Sequence, residues 1–213
     1  MLQDLRSFLN KKQAALLIAA LIYDLLVFYG SRLINHGMEH HDFTLAIDRM
    51  IPLLPWMIFV YIGAFLFWVI NYCICTKFDK GHGLSFIGTH FIGETVCLGF
   101  FLLLPTAMVR PEITGNSFAD WALSVTYQSD SPDNLFPSLH CFMSWLCWIG
   151  VRGNDHVPKW YRNLSLVIAI AICISTLTVK QHVFVDAVAG VLLAEICYIL
   201  SGMLDRRLDH KLN

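Results

Sequence analysis

Apolar residues along this chain fall into six long runs, separated by short polar segments. Most runs hold about twenty residues, the length at which a helix crosses the hydrocarbon core of a membrane. The pattern therefore predicts an all-α, polytopic membrane protein with six transmembrane helices. The predicted spans are residues 14–34, 51–76, 84–109, 137–151, 163–179 and 183–203. We expect residues 1–213 to form a single integral membrane domain, with its functional motifs between residues 110 and 186.

A seventh, shorter pattern lies between the third and fourth runs. Phe118, Trp121, Ala122 and Val125 recur at helical spacing within residues 117–125. This spacing predicts a short helix lying on the membrane surface. An ordinary loop with one aromatic anchor fits the same residues.

Composition supports a membrane protein. The chain is 56% hydrophobic and only 15% charged, with a mean hydropathy of +0.58, whereas a soluble domain carries about a quarter charged residues. The first run is too long for a cleaved signal peptide, and no small-residue cleavage site follows it. No basic tract indicates a nucleic-acid partner. The seven cysteines all lie in apolar runs, where they are typical of packing residues.

Basic residues predict the orientation of the chain in the membrane. Eleven lie on the N-terminal side: Arg6, Lys11, Lys12, Lys77, Lys80, Arg152, Lys159, Arg162, Arg206, Arg207 and Lys211. Only Arg32, Arg49, Arg110 and Lys180 lie on the opposite side. Because basic loops stay in the cytoplasm, both termini are predicted to be cytoplasmic.

Three polar segments, 110–112, 134–140 and 180–186, all fall on the extracytoplasmic side of this topology. The first is Arg110-Pro111-Glu112, and the second includes Pro137-Ser138-Leu139-His140. A serine beside the first turn of a helix can cap free N–H groups, and such a turn also binds anions. A capped helix with an incidental histidine explains the second segment equally well when it is taken alone.

The third segment carries His182 and Asp186 at a spacing that places them on one face of a helix. The carboxylate can hold one imidazole nitrogen and leave the other free as a nucleophile or base. A structural His–Asp pair is the commoner explanation of an isolated match. Lys180 precedes the pair, and Arg110 offers a fork suited to phosphate oxygens, although an Arg-Pro after a span is usually an interfacial anchor.

Together the three segments bring two histidines, a carboxylate and two cations to one side of the membrane. That set suits phosphoryl transfer: one histidine attacks phosphorus, the other protonates the leaving oxygen, and the cations hold the remaining oxygens. No metal or other cofactor is predicted, because the arginine, the lysine and the helix N–H groups supply the positive field.

The chain resembles the type-2 phosphatidic acid phosphatase superfamily of membrane lipid phosphatases, which includes lipid phosphotransferases. The family pattern is Lys-x6-Arg-Pro, Pro-Ser-x-His and Ser-Arg-x5-His-x3-Asp. The resemblance covers about half the chain and implies six spans, with a site at the extracytoplasmic surface built from spans three to six. It also implies a phosphohistidine mechanism. The implied roles are His182 as nucleophile, Asp186 as its orienting partner, His140 as general acid, and Arg110 and Ser138 as phosphate ligands.

Two positions depart from the family pattern. Leu103 stands where the family has lysine, and Thr176 where it has its second arginine. Lys180 is a candidate replacement for one of them. In lacking these two cations, and in the sequences around His140 and His182, the chain is similar to the inositol-phosphorylceramide and sphingomyelin synthase branch. Those enzymes move a phospho-head group to a lipid hydroxyl, and a phosphodiester carries less charge than a monoester.

Several polar residues lie outside these motifs. A cluster in the loop after the first run is favoured as a solvated loop over a metal site: His36, Glu39, His40, His41 and Asp42. Asp24, Asn71, Glu94 and Glu195 lie inside spans, where ionisable groups suggest function. His90 and Glu94 share a helix face, and polar packing is favoured for them over a substrate path.

The sequence therefore predicts a membrane lipid phosphatase acting on a phospholipid or lipid phosphate. A head-group phosphotransferase is the alternative within the enzyme class. An inactive lipid-phosphate-binding protein stays open because of Leu103 and Thr176. A transporter using the in-span acidic residues is a further class, but most polar residues concentrate at one surface.

Overall fold

The computed structural model describes residues 11–77, 80–152 and 154–212, with side chains for 11, 13–77, 82–152 and 154–203. Arg6 lies outside the described residues, as do the side chains of Lys12, Lys80, Arg206, Arg207 and Lys211. The described residues form nine α-helices and no strand. In chain order these are α1 Lys11–Leu25, α2 Ser31–Asn35, α3 Ala46–Met50, α4 Ile58–Cys75, α5 Lys80–Leu103, α6 Phe118–Ser129, α7 Leu139–Val151, α8 Lys159–Thr178 and α9 Phe184–Leu212. A π-helical turn, Leu26–Gly30, joins α1 to α2, and a 3-10 turn, Pro55–Met57, precedes α4.

Five stretches of the described residues are long and apolar enough to cross a membrane. They are Gln13–Asn35, Pro55–Cys75, His82–Leu103, Lys159–Thr178 and Phe184–Met203. They correspond to predicted spans one, two, three, five and six. The protein is therefore a multi-pass membrane protein, as the composition indicates. The count of six spans stays a prediction, because it depends on α7.

The helix α7 occupies the centre of the bundle, packed between α4, α5, α8 and α9. Its 13 residues rise about 20 Å, short of the roughly 30 Å hydrocarbon core. Most of its side chains are fully buried, Phe142, Leu146 and Ile149 among them. A helix packed against four neighbours does not need to match the lipid thickness itself, and the polar segment before it is buried with it.

Hydrogen bonds show which helix ends lie together. At one end, Gln13 Nε2 donates to the Thr76 carbonyl (2.7 Å), and His82 Nε2 lies 2.6 Å from the Gly150 carbonyl. At the other end, Asn35 Nδ2 donates to the Phe101 carbonyl at 2.8 Å. The starts of α4, α7 and α9 therefore meet the ends of α2, α5 and α8 at one end of the bundle. Which side of the membrane this end faces stays a prediction.

The third predicted span is wrong at its C-terminal end. The helix α5 ends at Leu103 rather than continuing to Val109. Pro105 explains the stop, because proline disfavours helical backbone in the preceding residue and has no N–H to donate. Residues 104–116 then run without helix, and Met108 N donates to the Pro132 carbonyl at 3.2 Å. Arg110 therefore lies on an extended loop, seven residues past the helix.

The short helix predicted within residues 117–125 is present as α6. Ser117 caps it by accepting from Asp120 N, while the Asp120 carboxylate accepts from Ser117 N. Phe118 and Trp121 are stacked on its outer face and are 70% and 61% exposed. An apolar outer face suits contact with the membrane interface, so the surface orientation stays the prediction for α6.

Candidate functional site

The candidate site is built where the N-termini of α7 and α9 meet. Ser138 caps α7 by accepting from Cys141 N at 3.3 Å, which places His140 in the first turn of that helix. Ser138 N donates to the Asp186 carbonyl at 3.1 Å, so the start of α7 is bonded to the start of α9. Close approach is possible because Gly190 faces Ser138: a Cβ on Gly190 would lie 2.4 Å from the Ser138 carbonyl oxygen. Both histidine segments are thereby held together by backbone contacts.

His182 and Asp186 face each other, but they do not share a helix face as predicted. His182 lies in the turn before α9, and only Asp186 is in the helix. His182 Nδ1 is 3.5 Å from Asp186 Oδ2, and the same oxygen accepts from Val183 N at 3.0 Å. The carboxylate thus caps α9 and orients the imidazole at once. Nδ1 is the nitrogen that faces Asp186, which leaves Nε2 on the far side of the ring.

The charge of Asp186 controls the protonation of His182. Burial lowers the pKa of His182, but the hydrogen bond and the negative charge of Asp186 raise it more, so the net shift is upward from 6.5. Asp186 itself is fully buried, and its Oδ1 has no hydrogen-bond partner among the described residues. The imidazolium form of His182 is therefore favoured to a higher pH than in an exposed histidine.

We predict that Asp186→Asn lowers the pKa of His182. The substitution removes the negative charge that stabilises the imidazolium and leaves the burial that opposes it. Histidine NMR of the purified protein in detergent reads this pKa without any assay of activity. The exposed His156, at the opposite end of the bundle, is the internal reference for assigning the His182 signals. An unchanged His182 titration would show that Asp186 does not set its charge.

Aromatic side chains hold His140 in place. Tyr61 is stacked on the imidazole, with ring centroids 4.1 Å apart and planes 12° from parallel. Trp68 and Phe65 contact the ring by their edges at 4.9 and 5.6 Å. Tyr61 Oη lies 3.5 Å from His140 Nδ1, whereas Nε2 is buried without a hydrogen-bond partner among the described residues. The ring is thus fixed in position with one nitrogen left unused.

A small cavity of about 30 Å³ brings the two histidines together. Their ring centroids are 6.4 Å apart. The cavity is also lined by Tyr61, Gln181, Asp130, Asp133 and Asn134. Arg110 and Asp186 lie one contact behind this lining, against Gln181 and His182 respectively. The cavity has room for about two water molecules.

Arg110 approaches the cavity from the loop after α5. Its Nη1 donates to the Asp130 carbonyl at 2.6 Å, its Nη2 donates to Gln181 Oε1, and its guanidinium lies 4.6 Å from the Tyr127 ring centroid. Burial lowers the pKa of Arg110 more than the charge of Asp130 raises it. Arg110 Nε and Gln181 Nε2 are buried donors without partners among the described residues. These N–H groups, close to two histidines, are therefore suited to binding an anion.

The Lys180 ammonium points away from the cavity. Its Nζ donates to the carbonyls of Asp48 and Ile51, at 2.8 and 2.6 Å, and so closes the C-terminal end of α3. Lys180 also has φ of 54°, a left-handed conformation uncommon for residues other than glycine. Strained backbone is frequent beside functional sites, but the charge of this lysine is engaged elsewhere.

Neither departure from the family pattern is compensated at its own position. Leu103 is 85% exposed at the end of α5. Thr176 is fully buried, and its hydroxyl donates to the Cys173 carbonyl at 2.8 Å. The described residues instead place Arg32 nearby, where it binds Asp130 at 2.8 Å and Asp133 at 2.5 Å. Arg32 is thus already matched by two carboxylates, whereas Arg110 bonds to the Asp130 carbonyl and to Gln181.

Sequence reasoning missed Tyr61, Gln181 and Arg32. Each comes from a different part of the chain, and only Gln181 adjoins a motif residue. Arg32 lies near the end of the first predicted span, where it bore only on the predicted orientation. In the described parts of the chain, the loop at residues 36–42 included, no group of three or more His, Cys, Asp or Glu is arranged to hold a metal ion.

Comparison with known proteins identifies the family. No curated protein and no solved structure matches the chain. The family model described as the PAP2 superfamily matches residues 55–200, which include all three polar segments. Members of that superfamily act on phosphoesters, which supports a phosphatase-like function on lipid phosphates. The match covers well over half of the chain, and we conclude that this protein belongs to the PAP2 superfamily, as its motifs indicate.

Proposed function

We propose that this protein is a membrane lipid phosphatase that hydrolyses a lipid phosphate ester through a phosphohistidine at His182. The observation that carries the proposal is the pairing of His182 with Asp186 across one cavity from His140. One histidine is oriented by a carboxylate, and the other is held by aromatic rings with Nε2 unused. A nucleophile and a general acid must both reach the same phosphate group, and two histidines that line one cavity can do so.

The proposed reaction has two steps. His182 Nε2 attacks phosphorus, the bond from phosphorus to the lipid oxygen breaks, and His140 gives its proton to that oxygen. The lipid alcohol leaves. Water then attacks the phosphohistidine while His140 takes a proton from it, which releases inorganic phosphate and restores His182. Asp186 stabilises the positive charge on His182 and keeps the ring in position.

Phosphate binding is assigned to groups around the cavity. Arg110 is the proposed cation, joined by the N–H groups at the start of α7, where the helix dipole favours an anion. Ser138 is proposed to contact a phosphate oxygen through its hydroxyl. Lys180 stays a proposed ligand from the sequence, although its ammonium would first have to leave two carbonyl oxygens. A phosphate group is larger than two water molecules, so the cavity must widen when substrate binds.

Head-group transfer to a lipid hydroxyl is the second candidate function. The observation that favours it is the balance of charge: Arg32 is neutralised by the carboxylates of Asp130 and Asp133, which leaves Arg110, bound to the Asp130 carbonyl, as the proposed phosphate cation. A site with so little free positive charge suits a phosphodiester, with one negative charge, better than a monoester with two. In this case the acceptor alcohol takes the place of water in the second step.

We further propose that both termini are cytoplasmic and that the site opens to the extracytoplasmic side. The excess of basic residues at the opposite end of the bundle supports this orientation. A lipid would then approach from the outer half of the bilayer. An inactive lipid-phosphate-binding protein is the non-enzymatic alternative.

A panel of substrates distinguishes these functions. Purified protein in detergent would receive phosphatidic acid alone, and then phospholipids with ceramide or diacylglycerol as acceptor. We predict inorganic phosphate from phosphatidic acid. A new phospholipid that forms only when the acceptor is present would instead establish the transferase. Lipid binding without any product would overturn the enzymatic proposal.

A further inference from the structure

A second cavity lies between α1 and α4, away from the polar segments, and it opens on the outer face of these helices, where Leu21 and Val69 are 59% and 62% exposed. Its volume is about 370 Å³, within the range of small-molecule sites. Leu21 and Leu25 from α1 line one wall, and Val69 and Cys73 from α4 line the other. These walls are apolar, so the cavity suits a hydrocarbon chain.

A polar cluster forms the floor of this cavity near the middle of the membrane spans. His90 and Asp24 line it, and the Glu94 carboxyl group lies beside His90. His90 is 1% exposed; Nδ1 lies 2.9 Å from Tyr72 Oη and 3.6 Å from Glu94, and Nε2 has no partner among the described residues. Both oxygens of the Glu94 carboxyl group are likewise buried without a hydrogen-bond partner among the described residues, so the cluster has polar atoms that a hydroxyl could satisfy.

The cavity adjoins the candidate site. Phe65 and Trp68 line it, and the same two rings contact His140. Trp68 is held in this position because its Nε1 donates to Ser144 Oγ at 2.9 Å. One layer of aromatic side chains therefore separates the two cavities.

We infer that this cavity binds a long-chain lipid alcohol rather than a phosphorylated lipid. The apolar walls contact the chains, and the cluster of carboxyl and imidazole groups accepts a hydrogen bond from the hydroxyl. A phosphate would face acidic groups, with no lysine or arginine among the described lining residues, at a depth where buried charge is costly. The inference rests on the proposed function for its role, because a lipid alcohol is the product of hydrolysis and the acceptor in transfer.

Photocrosslinking tests the site directly. The probe is a diacylglycerol with a diazirine in one chain, applied to His182→Ala protein in detergent so that binding is separated from turnover. We expect adducts on α1 and α4 facing the cavity. Unlabelled diacylglycerol should compete for them, and phosphatidic acid of the same chain length should compete about tenfold less well.

A matched pair of variants locates the binding. Val69→Trp fills the cavity from its lipid-facing rim and is expected to reduce labelling about tenfold. Ile22→Trp makes the same change on α1 at a similarly exposed residue outside the cavity lining, and it should label normally. Unchanged labelling in Val69→Trp would overturn the site. Equal competition by phosphatidic acid would overturn the selectivity for an alcohol. Neither outcome depends on whether the protein hydrolyses lipids.

Discussion

His182→Ala is expected to abolish phosphoryl transfer, with a loss of about 10⁴-fold or more in kcat. No other described side chain combines this position in the cavity with an orienting carboxylate, so the variant has no nucleophile to take its place. Phosphate release from phosphatidic acid measures the effect. If transfer is the activity, formation of the new phospholipid measures it instead.

The control for this variant is His156→Ala, which removes an exposed histidine at the far end of the bundle. It should retain full activity. Both proteins should elute as the same species on size exclusion and unfold at similar temperatures. Activity of His182→Ala within tenfold of the unmodified protein would remove His182 from the reaction.

His140→Ala is expected to slow hydrolysis according to the leaving group. A lipid alkoxide needs a proton as it departs, so the loss with phosphatidic acid should be about 10²–10⁴-fold. A p-nitrophenyl phosphate ester leaves without protonation, and its cleavage to the phosphoenzyme should fall less than about tenfold. The burst of p-nitrophenol in rapid-mixing experiments isolates this first step.

Tyr61→Phe provides the comparison for His140→Ala. It keeps the ring stacked on the imidazole at 4.1 Å and removes only the hydroxyl near Nδ1. We expect a much smaller loss than for His140→Ala, with no dependence on the leaving group. An equal loss with both esters in His140→Ala would assign His140 a structural role rather than proton transfer.

Much of the fold could be predicted from the periodicity of apolar residues. Five predicted spans correspond to observed helices because a run of about twenty apolar residues has one stable arrangement in a bilayer. The prediction failed after Leu103, where an apolar stretch continues but Pro105 ends the helix. A hydropathy scale does not record that proline lacks a backbone N–H. Pro105 was therefore a better guide to the end of the helix than the apolar stretch.

The candidate site was predictable where its residues are close in sequence. Ser138 caps α7 as expected, and His182 faces Asp186, because both contacts form within one turn of chain. The long-range partners were not predictable. Tyr61 reaches His140 from α4, and Arg32 reaches Asp133 across 101 residues. Such contacts follow from helix packing, which a single sequence does not specify.

The short central helix explains how a polar site can lie within the bundle. The segment before α7 is buried, with Asn134 Nδ2 donating to Ser31 Oγ and Asn134 Oδ1 accepting from Asn35 Nδ2. Backbone outside a helix is tolerated at membrane depth when it is enclosed by protein or lines a cavity. A full-length helix in the place of α7 would leave no room for this segment.

Trapping the covalent intermediate tests the central claim most directly. Protein mixed with a lipid substrate labelled at phosphorus would be quenched in alkali within one turnover and digested, and the labelled peptide sequenced by mass spectrometry. The account predicts an acid-labile, alkali-stable phosphorus adduct on His182, absent from His182→Ala. A bare phosphoryl group would indicate hydrolysis, and a phospho-head group would indicate transfer. Turnover without label on the protein, or label on a different residue, would contradict the proposed mechanism.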